Sequence, residues 1–314
     1  MDYLYLAIDG GGTKTDAVLF NSTGTIISRT IGSGTNPNGM SFNEVTLHFK
    51  KLFANLLLNN SIKEIKGCFA GLSGSDHPKL IKKLADCLRE ACPLPIHHLI
   101  VGNDGMNALW SGTNGASGLV MIAGTGSIVY GIKHNGASFR IGGWGYLFGD
   151  EGSGYSIGRE AIRHVLMTFD HREQTTSLTI ALSNYFDVSV ISDIVPIVYK
   201  CSKDIIAGLV PIISREAEQG DHLAKQILSD ASKELIALLQ SGLDRFETMP
   251  HVVLVGGIWK CRLIRETICT AVSVPLIFPS CPPVYGSIAK CVNEWEKKDE
   301  KLLFSLKRQL LKND

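Results

Sequence analysis

The 314-residue sequence has no excess of charge of either sign: 31 Lys and Arg stand against 30 Asp and Glu, a formal charge of +1. A broad electrostatic footprint for nucleic acid or an anionic membrane is therefore not expected. No apolar stretch approaches the ~20 residues that span a bilayer. The opening, MDYLYLAIDGGG, has no basic segment ahead of its short apolar run, so no export signal is expected either. Cysteines occur at 68, 87, 92, 201, 261, 269, 281 and 291 without one C-x-x-C pair, which removes the common zinc and dithiol patterns. They read as small buried apolar side chains in a reducing, cytoplasmic setting. There is no G-x-S-x-G elbow, no H-E-x-x-H pair and no Ser-His-Asp cue, and the histidines, His97 and His98 included, show no metal spacing. With 45% hydrophobic residues the chain is not disordered, and its length points to two domains.

Glycine, in contrast, is plentiful, at 32 residues, and its placement is informative. Leu4 to Ile8 is apolar, Asp9-Gly10-Gly11-Gly12-Thr13-Lys14-Thr15 interrupts, Ala17 to Phe20 resumes, and Asn21 to Gly24 turns into a β-rich return over 25–30. The same grammar recurs at Leu119 to Ala123, Gly124-Thr125-Gly126-Ser127, Ile128 to Ile132 and His134-Asn135-Gly136. Two copies in the same order predict an internal duplication. Between and after them, helical periodicity predicts helices over 44–58, 78–91, 157–169, 222–247 and 299–312, alternating with strands near 65–70, 99–101 and 252–255. Alternation of this kind predicts an α/β fold.

Three places carry chemistry. The 10–15 turn follows a strand and precedes a strand, so neither the Walker nor the dinucleotide glycine pattern fits. It reads as a hairpin phosphate loop in which Thr13 and Lys14 add a hydroxyl and a cation, and Asp9 holds hydrated magnesium. Asp104 closes the strand LIVGND between two glycines; it is either a helix N-cap or a general base. The segment 140–160, RIGGWGYLFGDEGSGYSIGRE, offers Trp144 as a flat face for a sugar ring and Asp150 and Glu151 for hydroxyls, with helix capping an equal alternative for Glu151.

These motifs, with Gly142-Gly143-Trp144-Gly145, Gly149-Asp150-Glu151-Gly152-Ser153 and Val255-Gly256-Gly257, resemble the N-acetylglucosamine kinases of the BadF/BadG/BcrA/BcrD group in the actin–hexokinase–Hsp70 superfamily. The resemblance implies two ribonuclease-H-like domains around a central cleft that binds ATP, magnesium and an amino sugar. Their expected bounds are 1–116 and 117–290, with 291–314 a helical segment packing back on the first domain. It implies that Gly11, Gly12, Thr13 and Lys14 hold the β/γ-phosphates, that Thr125 and Gly126 form the second phosphate turn, and that Gly208, Gly256 and Gly257 approach the nucleotide. Asn36, Ser127, Gly143, Trp144, Gly145 and Asp150 match the sugar pocket, and Asp104 the catalytic base. A homodimer is the family expectation. The implied reaction is ATP-dependent phosphorylation of N-acetylglucosamine, at the 6-hydroxyl, or of N-acetylmuramic acid or glucosamine. The alternative is an ATPase activator of an iron–sulfur dehydratase. One departure is Ile128, where the animal enzymes carry Asn, so a different or bulkier sugar is expected. The Cys-rich zinc motif of the ROK sugar kinases is missing.

Overall fold

The computed structural model describes residues 3–58, 62–75 and 77–312. The chain opens with three antiparallel strands, β1 (Leu4–Gly10), β2 (Lys14–Asn21) and β3 (Ile26–Ser33). Helix α1 (Phe42–Leu56), β4 (Ile65–Leu72), α2 (Pro78–Ala91), β5 (Ile96–Gly102) and α3 (Asp104–Thr113) follow. A second meander, β6 (Gly118–Ala123), β7 (Ser127–Ile132) and β8 (Ser138–Gly142), leads into the helices α4 (Gly154–Phe169), α5 (Ser177–Phe186), α6 (Ile194–Val198), α7 (Lys203–Ala207), α8 (Val210–Glu218) and α9 (His222–Leu243). The chain ends with β9 (His251–Val255), α10 (Arg262–Ala271), β10 (Leu276–Ile277), α11 (Val284–Trp295) and α12 (Glu300–Lys312).

The chain forms two units, residues 1–118 with 278–314, and residues 119–277. Each is built on a mixed five-stranded sheet, in the orders β3-β2-β1-β4-β5 and β8-β7-β6-β9-β10. Numbered within its own unit, each sheet reads 3-2-1-4-5, the duplicated architecture that the repeated glycine grammar predicts. The return to the first unit begins at Phe278 rather than at 291, because α11 packs on β1, β4 and α3.

Burial explains why the strands form. β1 and β4 lie inside the first sheet, paired in parallel with each other, and read as nearly continuous apolar runs because both faces are covered. On one face Leu6, Ile8, Ala17 and Leu19 meet Val45, Phe49, Leu52 and Phe53 of α1, with Leu84 and Leu88 of α2. On the other, Tyr5 stacks on Trp295 of α11 and Phe69 meets Trp110 of α3. α1 starts at a capping box, Ser41 with Glu44. Among the described residues no single helix is long and apolar enough to cross a membrane.

Candidate active site

In the first unit, pairing in register aligns Asp9 of β1 with Gly71 of β4, and Gly71 with Gly102 of β5. The strand ends therefore bring Asp9 and Asp104, 95 positions apart in sequence, to one edge of the sheet, the edge at which open α/β sheets gather ligands. Asp104 is the first residue of α3, and the cap is Asn103, whose Oδ1 accepts from the Gly105 amide at 2.8 Å. The capping alternative for Asp104 is thus taken by its neighbour. Asp9 is half-buried, and its Oδ1 accepts from Asn107 Nδ2 at 2.7 Å. Burial pushes its carboxyl up to about 7; the Asn107 bond opposes this, and the charges of Asp104 and Asp16 add to it.

The turn from Gly11 to Thr13 links β1 to β2 and is held from behind. The Gly11 amide donates to Lys14 O and the Thr35 amide to Gly11 O. A Cβ on Gly34 would stand 2.1 Å from Gly12 O, so the chain after β3 runs against the turn only because that residue is glycine. Below it, Arg29 pairs with buried Asp16 at 2.8 Å. Gly12, Thr13 and Lys14 are exposed. Asn36 lies beside the turn with both ends of its amide engaged: Nδ2 donates to Ser73 Oγ, and Oδ1 accepts from the Asn38 amide. Sequence reasoning did not foresee Ser73.

In the second unit the turn Gly124-Thr125-Gly126 stands on the N-terminus of α4: the Gly154 and Tyr155 amides donate to Gly124 O and Thr125 O at 2.8 and 3.1 Å. Thr125 donates its hydroxyl to Asp204 Oδ1 at 2.9 Å. Beside the turn opens a cavity of about 760 Å³, lined by Gly124, Thr125, Asp204, Gly208, Arg215, Gly257 and Lys260 among others, large enough for a nucleoside. Gly208 and Gly257 are thus brought together with the second turn. Gly256 is not in the lining; it adopts φ 120° and lies so close to β6 that a Cβ would meet Ala123 O at 2.1 Å. Asp204 and Arg215 were missed because nothing in the helical 194–218 stretch marks which polar residues face inward, and Lys260 because the short turn Gly257–Lys260 gives no such signal either.

Asp150 reaches the second turn from the other side. It sits at φ 62°, is buried, and its Oδ1 accepts from the Ser127 amide at 3.2 Å. Burial raises its carboxyl, and that amide opposes the shift. Ser127 is itself buried and donates its hydroxyl to Glu151 O, so it braces the 150–151 loop. The cap of α4 is Ser153, whose Oγ accepts from the Ser156 amide, not Glu151. Gly143 and Gly145 adopt φ 67° and 84°, and a Cβ on Gly143 would strike Ile128. Trp144 is 65% exposed. Arg140 covers one face of its ring, 4.1 Å from the centroid, leaving the other for the flat contact expected of it.

Among the described residues no group of three His, Cys, Asp or Glu side chains could cage a metal ion. A single carboxylate with water is, however, a common magnesium arrangement where phosphates supply further oxygens. Asp9 fits that case. Its second oxygen takes no hydrogen bond within the described residues. Six of the eight cysteines are buried; Cys201 is half-buried and Cys269 exposed. Burial pushes the Cys291 thiol up to about 12 and raises those of Cys68 and Cys92 as well, so these three are packing groups.

Two meanders of one topology, each opening on a glycine turn, define the actin-like ATPase fold. The BadF/BadG/BcrA/BcrD ATPase family matches over residues 6–277, and the chain belongs to that family. It is similar to the N-acetyl-D-glucosamine kinase of Dictyostelium discoideum, 31% identical over 92% of this chain and 98% of that protein. It is also similar to the N-acetylmuramic acid/N-acetylglucosamine kinase of Clostridium acetobutylicum, 32% identical over 73% of this chain and 76% of that protein. A solved structure from Chromobacterium violaceum, provisionally assigned as an N-acetylglucosamine kinase, superposes with a TM-score of 0.73 at 22% identity, covering 91% of this chain and 98% of its own. That last likeness speaks to the fold.

Proposed function

We propose that the chain is a kinase that transfers the γ-phosphoryl group of ATP to a hydroxyl of an amino sugar, the 6-hydroxyl of N-acetylglucosamine being the leading acceptor. The similarity to curated amino sugar kinases over most of the chain supports the reaction class. The observation that carries the site is Asp104, placed at the ligand edge of the first sheet beside Asp9 while Asn103 does the capping. In the reaction the sugar oxygen bonds to the γ-phosphorus, the bond from that phosphorus to the bridging oxygen of ADP breaks, and Asp104 takes the hydroxyl proton. Thr13 and Lys14 face the phosphates from the first turn, with Gly11 and Gly12 letting the backbone approach. Thr125 and Gly126 would be the phosphate contacts of the second unit, and the cavity beside Gly208 and Gly257 would take the nucleoside, with Gly256 supporting it from beneath. Asp9 would hold magnesium through water, and the ion would supply charge neutralisation at the phosphates. Asn36, Asp150 and Trp144 are the sugar contacts, shaped by Ser127, Gly143 and Gly145. A cytoplasmic homodimer is part of the same reading, and light scattering of the purified protein tests the dimer.

ADP release measured across N-acetylglucosamine, N-acetylmuramic acid and glucosamine tests the substrate class; no turnover above background with any of them would overturn it. Asp104→Asn is expected to lose about 10²–10⁴ in kcat while ADP affinity stays unchanged. Near-normal turnover in that variant removes Asp104 from the chemistry.

A further inference from the structure

Asn107 is the most constrained polar side chain in the first unit, and neither its sequence position nor the activity explains it. It lies on α3 three residues after Asp104, fully buried beside Ala108 and Leu109. A polar group there is costly unless its hydrogen bonds are satisfied, and alanine would suit the helix better. Every bond is satisfied, and in one orientation only. Nδ2 donates to Asp9 Oδ1 at 2.7 Å and to Gly71 O at 3.0 Å. Both partners are acceptors, so the amide nitrogen must face them. Oδ1 faces the buried hydroxyl of Ser287 on α11, at 2.8 Å, and that hydroxyl also lies 2.8 Å from Ile8 O. The chain makes room for this arrangement twice. A Cβ on Gly71 would stand 2.1 Å from Asn107 Oδ1, and one on Gly286 would stand 2.0 Å from Asn107 O.

We propose that Asn107, held by Ser287, is the positioning residue that aims the Asp9 carboxylate: it fixes one oxygen and turns the other toward the phosphate–magnesium site. A packing role alone would be met by any side chain of similar volume. What distinguishes this one is a rigid amide donating to a carboxylate whose second oxygen has no hydrogen-bond partner among the described residues. The proposal rests on the reading of Asp9 as the magnesium-water ligand, so the experiment separates the two.

For Asp9→Asn, Asn107→Ala and Ser287→Ala, one measures the magnesium concentration for half-maximal turnover, the sugar KM, and ADP affinity by calorimetry with and without magnesium. Asn107→Ala is expected to weaken the magnesium-dependent part of ADP binding about tenfold, and Ser287→Ala about threefold, as for one lost hydrogen bond to a charged or a neutral group. The sugar KM and magnesium-free ADP affinity are expected to stay within about twofold. If Asp9→Asn leaves magnesium dependence unchanged, the magnesium reading of Asp9 fails. If Asp9→Asn weakens it while Asn107→Ala and Ser287→Ala do not, the positioning role is overturned. Should Asn107→Ala fail to fold, the Ser287→Ala result decides alone, because it leaves the Asn107 side chain in place and removes only its brace.

Discussion

The two glycine turns occupy equivalent places in sheets of one topology, yet they are held by different physics. The first is backed by a buried polar array: Asp9 on Asn107, Asp16 on Arg29, and Thr15 donating to Ser33 O beside Thr35. The second is backed by a helix start, with α4 amides on Gly124 O and Thr125 O and one side-chain tie from Thr125 to Asp204. One scaffold thus carries a turn backed by ionisable side chains and a turn that borders a cavity. The lesson is that topology is conserved between such halves while chemistry lies in what stands behind each loop.

The comparison is broken most severely at the glycines. Gly256→Ala adds a Cβ 2.1 Å from Ala123 O on a residue at φ 120°. It is expected to cost about 3 kcal/mol or more, visible in urea unfolding together with a loss of ADP binding. Gly34→Ala presses on Gly12 O at the same distance but has no left-handed backbone, so its cost is expected to be smaller and its first effect to be on turnover. Equal costs for the two would mean that backbone strain adds nothing in the second unit.

The charged half is sharpened by pH. The Asp9 carboxyl titrates near 7 in the folded protein, against an ordinary value near 4. Between those values the folded state binds more protons than the unfolded one, so stability falls as pH rises from about 4 to 7 and then levels. Because the carboxylate keeps some contact with water, the drop is expected to be roughly 2 kcal/mol rather than the full shift. Asp9→Asn should flatten that slope in urea unfolding of the ligand-free protein. Asp150 is shifted in the same direction, so Asp150→Asn should flatten it less; the reverse order would misplace the charge-handling half.

The smallest effect is expected at the second turn. Asp204→Ala removes the partner of the Thr125 hydroxyl and should weaken ADP binding about fivefold, near 1 kcal/mol, without altering magnesium dependence. A change in magnesium dependence there would erase the division of labour between the turns.

Much of this was legible from local pattern. The strand–turn–strand repeats, the helices over 44–58 and 78–91, and the ligand-edge position of Asp104 follow from periodicity and glycine placement. The network behind Asp9 does not, since its members at 9, 71, 107 and 287 come from four elements that only the fold juxtaposes. Capping was legible in kind but not in residue: Asn103 and Ser153 cap where Asp104 and Glu151 were the candidates, because adjacent polar residues compete and backbone geometry decides. Arg140, four positions before Trp144, covers one face of its ring, a folding back for which the sequence gives no signal.

The order in which the two halves are written along the chain carries one more consequence. Residues 119–277 form a continuous unit, whereas the first needs α11 to close over β1 and to deliver Ser287, Ile288 and Cys291 to its interior. During synthesis the central half would therefore emerge whole while the amino-terminal half still waits for residues 278–312 to cover its first strand. Chaperone capture and premature degradation should fall on that waiting half.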